Sequence, residues 1–342
     1  MEGNVKRYLD SIGPSLPAEI ISLETKRKID KMAVLFSDFA ASEYIMETNL
    51  NSAVAEADFS FRILTSEKDC LMKGFNSFSI SGLATDATWM KVIDFVHFWP
   101  PDIPDIWLEM DYGEFAKDVP QPCFFFNATQ IKEGTEINND LLHSSLSRLL
   151  DSSQLATIWP NLTEIIHQLP PEVGLFQIGT MLARHQDRVR VFTAELTQEQ
   201  TLAYLARINW PGDFPKLEQL FNLVHPHSDG QYIVDFDVTR QGISEKIGIN
   251  FGLAKKQELP AFLANLTRHG LCNEVKQQGV LAWSGSKGCF LGPAYGFSAL
   301  VKDISHFKMS LIPEESVMMK AYLRIMGIYL KELFTTRTAG KL

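Results

Sequence analysis

The sequence predicts an α+β fold, a ten-stranded antiparallel β-barrel ringed by α-helices, and three observations carry that prediction. Segments of period-2 hydrophobicity come in five successive pairs. Segments of helical period separate one pair from the next. Apolar and polar residues alternate along the strands, so each strand offers one face to a core and the other elsewhere. Ten antiparallel strands joined by hairpins can close on themselves, which leaves no edge unpaired.

In chain order, a helix is expected over 19–40, where Ile20, Leu23, Ile29, Met32, Leu35 and Phe36 suit one face. The first strand pair is Tyr44–Leu50 and Ala57–Leu64. A helix over 86–98 leads to the second pair, Asp105–Tyr112 and Cys123–Asn127. Helices over 139–151 and 161–168 lead to the third, Gly174–Leu182 and Arg188–Leu196. Thr197–Ile208 and Pro215–Val224 read as helices, the first opened by Thr197-Gln-Glu-Gln200, a capping box for its free backbone N–H groups. The fourth pair is Gln231–Val238 and Lys246–Leu253. Helices over 257–268 and 273–279 and a Gly-rich connection, Gly285–Gly296, lead to the fifth, His306–Ile312 and Ser316–Ile325. A helix over Ile328–Phe334 closes the chain. With no low-complexity tract and no Ser/Gly-rich linker, one domain is expected over 1–342. It comprises a helical extension over 1–40, the strand pairs and outer helices over 41–326, and a C-terminal helix and tail over 327–342.

A chain of 342 residues, 45% hydrophobic and 21% charged, can bury a large core without staples. Against 41 Asp and Glu stand 32 Lys and Arg, a net charge of −9 with no long basic block, which argues against a nucleic-acid partner held by counterion release. Cys70, Cys123, Cys272 and Cys289 are far apart and form no CxxC pair, so neither a zinc cluster nor a disulfide framework is expected. The N-terminus has no apolar stretch behind its charges, and charge interrupts every apolar stretch well short of the roughly 20 residues that cross a bilayer. A soluble, cytoplasmic monomer is the expectation. His225-Pro226-His227 reads as a polar loop, and Gly285-Ser286-Lys287-Gly288 lacks the spacing of a phosphate loop.

The strand faces say more. Phe59, Phe61 and Ile63 oppose Asp58, Ser60 and Arg62, while Val234, Phe236 and Val238 oppose Asp235 and Asp237. Ile247, Ile249 and Phe251 oppose Lys246, Gly248 and Asn250, while Met319, Ala321 and Leu323 oppose Lys320, Tyr322 and Arg324. If helices cover the outside, the apolar faces meet them and the polar faces line the lumen. That lumen then carries Arg62, Arg188, Arg190, Lys246, Lys308, Lys320 and Arg324, together with Asp58, Glu109, Asp111, Asp235 and Asp237. Buried unpaired charges cost several kcal/mol each, so such a lumen is water-filled or holds a charged ligand. A cluster of cations points to an anion, a phosphate or diphosphate.

With these residues in place the sequence resembles the soluble aromatic prenyltransferases of the ABBA fold, barrels of ten antiparallel strands built from αββα repeats. Ala57-Asp58-Phe59-Ser60-Phe61-Arg62 is similar to the family's second strand, whose Asp-Phe-Ser run supplies a magnesium-associated aspartate, and Asp58 falls on it. Leu175-Phe176-Gln177-Ile178 and Arg188–Leu196 resemble the third strand pair, with Gln177 on an acceptor-pocket glutamine. Lys246 lines up with a diphosphate-binding arginine, and Tyr322 with a pocket tyrosine on the last strand. The resemblance spans roughly 40–326 in element order. Two departures stand out: Pro122-Cys123-Phe124-Phe125-Phe126 lacks the Lys and Tyr that the fourth strand brings to the diphosphate, and Phe192 stands where a phosphate-binding Tyr is usual. Either Arg62, Arg190, Lys308 and Arg324 take over that role, or the donor differs, or the barrel no longer catalyses prenyl transfer.

The resemblance implies an enzyme that moves a prenyl group from an allylic isoprenoid diphosphate to an aromatic acceptor, a phenol, an indole or a peptide side chain. Lys and Arg would stabilise the departing diphosphate, Mg²⁺ at Asp58 could assist, and aromatic walls would shield the carbocation from water. The diphosphate set is Arg62, Arg188, Arg190, Lys246, Lys308, Lys320, Arg324 and Tyr322. Gln177, Ser60 and Asp235 face the acceptor, and Glu109, with Asp111 second, is the base for the ring proton. Two other readings use the same barrel: a cyclase of isoprenoid diphosphates, and a non-catalytic barrel for an anionic ligand or a peptide.

Overall fold

A computed structural model describes residues 5–35, 43–78, 85–117, 119–291, 296–313 and 317–329. Helices α1 (Val5–Ile12) and α2 (Leu23–Leu35) precede strands β1 (Glu43–Asn49) and β2 (Asp58–Leu64). Helices α3 (Lys68–Phe78) and α4 (Ala87–Phe98) lead to β3 (Asp105–Met110) and β4 (Cys123–Asn127). A small hairpin, β5 (Lys132–Glu133) and β6 (Glu136–Ile137), then α5 (Asn139–Leu146) and α6 (Ser152–His167), lead to β7 (Leu175–Thr180) and β8 (Val189–Thr193). Helices α7 (Gln198–Arg207) and α8 (Phe214–Val224) lead to β9 (Ser228–Thr239) and β10 (Gly242–Leu253). Helices α9 (Leu259–Arg268) and α10 (Glu274–Leu281) lead to β11 (Gly285–Phe290), β12 (Phe297–Leu311) and β13 (Met318–Tyr329).

The sheet runs β10-β9-β8-β7-β4-β3-β2-β1-β13-β12, antiparallel throughout, and β12 returns to β10 through the register Ile247↔Leu311 to Phe251↔Phe307. Ten strands therefore close, as the five strand pairs predict. The apolar faces point outward: Phe59, Phe61, Ile63, Val234, Val238, Ile247, Ile249, Met319, Ala321 and Leu323 have no exposed surface. They bury against the helices in one continuous core with Trp89, Phe95, Leu162, Tyr204 and Phe221. The strands are amphipathic because each divides an apolar shell from a polar lumen.

Several elements differ from the sequence-based expectation. The helix expected over 161–168 begins at Ser152 and runs through Pro160, because Ala156, whose carbonyl loses its donor, and Pro160 itself are exposed, so water can replace the bond. Helices α1 and α3 were not foreseen, and neither was β11, where a Gly-rich connection was expected. β12 is long enough to serve two partners: its last residues close the barrel, and its first, from Phe297↔Phe290 to Lys302↔Gly285, pair with β11 outside it. β13 continues through Ile328 and Tyr329, where a helix was expected to start, since the extended β12 still offers Ser298 and Ala299 as partners. The remainder of that helix, the end of the first helix from Phe36 onward, and Ser316 lie outside the described residues. The Thr197 capping box forms as read, with Gln200 N–H donating to Thr197 Oγ1 at 3.2 Å and Thr197 N–H to Gln200 Oε1 at 2.9 Å. Among the described residues no helix is long and apolar enough to cross a membrane.

Candidate active site

The polar strand faces enclose a cavity of about 460 Å³. Strand alternation aims Glu43 and Glu47 of β1, Ser60 and Arg62 of β2, and Trp107 and Glu109 of β3 into it. Gln177, Arg190 and Phe192 enter from β7 and β8, Lys246 and Asn250 from β10, and His306, Lys308, Lys320 and Tyr322 from β12 and β13. Of the residues singled out in the sequence, Arg62, Arg190, Lys246, Lys308, Lys320, Tyr322, Gln177, Ser60 and Glu109 line the cavity together. Arg188, Arg324, Asp58, Asp111 and Asp235 stand outside that lining.

Most of the cations are already matched. Lys308 lies 2.7 Å from Asp235, whose carboxylate also accepts a 2.8 Å bond from Asn250. Burial would raise the Asp235 carboxyl, but Lys308 and Arg190 hold it below its ordinary value. Arg190 grips Asp237 with two bonds of 2.8 and 3.0 Å, and Arg188 reaches the same carboxylate at 2.9 Å. Against its burial, those guanidinium groups bring Asp237 down to about 2. Lys320 pairs with Glu47, and Tyr322 adds a hydrogen bond to the same carboxylate, which also falls to about 2 despite full burial. Toward one end, Arg62 holds Asp105 at 2.7 Å and approaches Glu43 at 3.6 Å, while Arg324 sits 3.4 Å from Asp303.

Lys246 is the exception. Among the described residues no carboxylate lies within ion-pair distance of it. Burial, followed by the repulsion of Arg190, Lys308, Lys320 and Arg184, lowers its ammonium to about 8. One strand step further, Gly248 leaves the room in which the Lys308–Asp235 pair crosses: a Cβ there would collide with Asp235 Oδ2 and Lys308 Cε.

The opposite wall is acidic. Asp58 accepts a 2.7 Å bond from the Tyr112 N–H, yet burial and the nearby Glu47 raise its carboxyl to about 7. Burial, Glu47 and Asp111 together raise Glu109 to about 8, so this carboxyl holds a proton at neutral pH. Arg184, from the short turn before β8, clamps both oxygens of Asp111 at 2.8 and 2.6 Å. The aromatic lining is Trp107, Phe125, Phe176, Phe192, Phe251 and Tyr322. Phe125 and Phe192 meet edge to face with ring centroids 5.6 Å apart, and Lys308 Nζ lies 5.8 Å from the Phe192 centroid.

Glu109, Asp111 and Cys123 offer three ligand atoms within 4.8 Å of one another. Burial and the two carboxylates hold the Cys123 thiol well above its ordinary value, and Arg184 already occupies Asp111. Mg²⁺ takes an octahedron of hard oxygens, which a protonated thiol and an arginine-bound carboxylate do not supply. Asp58 is a single carboxylate turned to a backbone N–H and set outside the cavity lining. These residues do not fit a resident Mg²⁺.

Sequence reasoning missed Glu43, Glu47, Arg184 and His306. Glu43 and Glu47 share the inward parity of β1, and His306 the parity of Lys308, so alternation could have found them. Arg184 sits on an aperiodic turn and carries no such signal.

No protein-family model matches the chain, and no curated protein matches it in sequence. Solved structures do match. The apo form of the prenyltransferase PriB is similar over 93% of this chain and 94% of its own, with a TM-score of 0.58 and 10% identity. PriB in binary complex with product diphosphate gives a TM-score of 0.54 at 11% identity over 93% of both chains. NotF in complex with brevianamide F and DMSPP gives 0.51 at 9% identity, over 92% of this chain and 90% of its own. At such identities the likeness is one of fold. The chain has the closed ten-stranded barrel ringed by helices expected from its sequence, the fold of these solved structures.

Proposed function

We propose that the protein is an aromatic prenyltransferase, transferring a prenyl group from an allylic diphosphate to an aromatic acceptor inside the lumen. The observation that carries this reading is Lys246, a half-buried cation without a counter-ion among the described residues, set among Arg190, Lys308 and Lys320 in an aromatic-walled cavity. A bound anion relieves that arrangement, and a diphosphate brings enough charge to engage several of these groups. The kinship of fold with a barrel that holds product diphosphate, and with one that holds DMSPP and brevianamide F, supports the same substrate classes.

In this reading Lys246, Arg190, Lys308 and Lys320 bind the diphosphate and stabilise it as it leaves. Asp235, Asp237 and Glu47 hold three of those cations in position, so they need no reorganisation when charge develops. Arg62, Arg188 and Arg324 extend the positive field around that set. Phe125, Phe192, Trp107 and Tyr322 wall off water and face the carbocation, whose charge their ring faces attract. Ser60 and Gln177 offer hydrogen bonds to the acceptor, and the Asp111–Arg184 clamp fixes the wall beside Glu109. Glu109, Asp111, Cys123 and Asp58 do not fit a resident Mg²⁺, so in this reading any Mg²⁺ would arrive on the donor.

The test is incubation with C5, C10 and C15 allylic diphosphates, with and without Mg²⁺, and a mixed set of phenols, indoles and aromatic peptides, read by mass spectrometry. A prenyl increment on an acceptor is expected. Diphosphate release with only cyclised hydrocarbon would establish a cyclase instead, and tight donor binding without turnover a binding barrel.

A further inference from the structure

We propose that His306 is the base of this reaction, taking the ring proton onto Nε2 once the prenyl group has bonded to the acceptor; the assignment rests on the prenyl-transfer reading above.

The position of His306 is built by a break in strand register. β12 and β13 run in step from Ser298↔Tyr329 to Ile304↔Leu323 and resume at His306↔Tyr322, which leaves Ser305 as an extra residue. Such a bulge re-aims side chains, and here Ser305 and its neighbour His306 both face the cavity. Ser305 Oγ lies 3.1 Å from His306 Nδ1. The imidazole stacks on the Tyr322 ring, with centroids 4.1 Å apart and planes 16° from parallel, which fixes the plane of the ring. Nε2 has no hydrogen-bond partner among the described residues. With Nδ1–H donating to Ser305 Oγ, the lone pair of Nε2 is free in the lumen.

Several other acidic groups in and around the lumen are less suited. Glu47, Asp235 and Asp237 are each held by two or more cations or donors, and Glu109 carries a proton at neutral pH. Glu195 and Asp229 are exposed at the cavity rim, where water reaches them. His306 faces Lys308 and Arg324, which together with burial lower its imidazole to about 4, and Glu47 and Asp235, which oppose that shift. The ring is therefore neutral from mild acid upward and available as a base.

The step balances without a co-reactant. After C–C bond formation the acceptor is an arenium ion whose sp³ carbon bears the prenyl group and a hydrogen. The C–H bond breaks, its electron pair restores the aromatic sextet, and the proton passes to Nε2. An arenium ion is a far stronger acid than an imidazolium, so a base of this modest strength suffices. The imidazolium that forms lies near Glu47 and Asp235, and it loses its proton to the departing diphosphate or to water.

The experiment uses the full chain, an allylic diphosphate and an acceptor deuterated at the carbon that is prenylated. His306→Phe, which keeps a ring for Tyr322 to stack on, is expected to lower kcat by about 100-fold with the donor KM little changed. A primary kinetic isotope effect, close to unity in the unaltered protein, should appear in the variant because loss of the ring proton becomes rate-limiting. Ser305→Ala, which releases the tautomer, should lower kcat several-fold in the same direction and serves if His306→Phe does not fold. Added imidazole should restore part of the rate in His306→Gly. Product formed by the unaltered protein and undiminished in the His306 variants, with no isotope effect, overturns the assignment. So does a rate that falls tenfold per pH unit below about 8 and is abolished in Glu109→Gln, which would make Glu109 the base. No product from the unaltered protein with any donor overturns prenyl transfer itself, a distinguishable failure.

Discussion

Replacing Lys246 with Met removes the one lumenal cation that has no counter-ion among the described residues, and the consequence can be worked out in protons. The ammonium stands at about 8 instead of 10.5 because it is buried among Arg190, Lys308, Lys320 and Arg184. A bound diphosphate neutralises that repulsion and returns the group to its ordinary range. Binding should therefore take up about 0.9 proton at pH 9, about 0.5 at pH 8 and about 0.1 at pH 7. Donor affinity should weaken toward tenfold per pH unit above about 8. The assay is calorimetric titration of an unreactive allylic thiolodiphosphate in buffers of different ionisation enthalpy, which separates proton uptake from intrinsic heat. Lys246→Met should abolish the uptake and weaken binding at pH 7 by about 10- to 100-fold, the range for loss of a charged hydrogen bond. The same variant should be more stable. A lysine whose folded pKa is depressed contributes full stability only above its unfolded value, and loses it as pH falls through the folded one. Lys246→Met should thus raise Tm at pH 7 and leave it unchanged near pH 11. Heats independent of the buffer at pH 9, or equal affinity in the variant, would refute the reasoning.

Three further outcomes follow from the same geometry. Gly248→Ala puts a methyl group against Asp235 and Lys308, so it should destabilise the fold by about 1–3 kcal/mol in denaturant unfolding and weaken donor binding, whereas Gly113→Ala, which meets nothing, should do neither. Glu109→Gln should raise Tm at pH 9 and not at pH 4: a carboxyl whose folded pKa is raised contributes stability that is full below its unfolded value of 4.5 and is lost as pH rises through about 8. An unchanged Tm at pH 9 would show that folding does not raise this carboxyl. Turnover should persist in excess EDTA, since Asp58 alone does not make a Mg²⁺ site and Asp111 is clamped by Arg184; complete loss restored by Mg²⁺ would contradict that reading.

Much of the fold was legible because its signals are local. Period 2 in Phe59, Phe61 and Ile63 against Asp58, Ser60 and Arg62 states which residues share a face, whatever the strand's neighbours are. The elements that escaped are those whose stability comes from a distant partner. β11 has little strand character of its own and is held by the projecting half of β12, and Pro160 is tolerated because solvent covers that side of α6. Some lumenal residues were missed though their parity was readable, as with Glu47; Arg184 on its aperiodic turn was not readable at all.

The amino-acid sequence by itself determined the class of fold and the sorting of Arg62, Arg190, Lys246, Lys308 and Lys320 onto one inward face. Tertiary structure decided which of those cations are already neutralised. Lys320 meets Glu47 across 273 residues of chain, and Lys308 meets Asp235 across 73, in registers that no local period encodes. Charge is a property of the residue, but its availability to a ligand depends on the partner that closure of the barrel places beside it, and among the described residues closure leaves Lys246 without one.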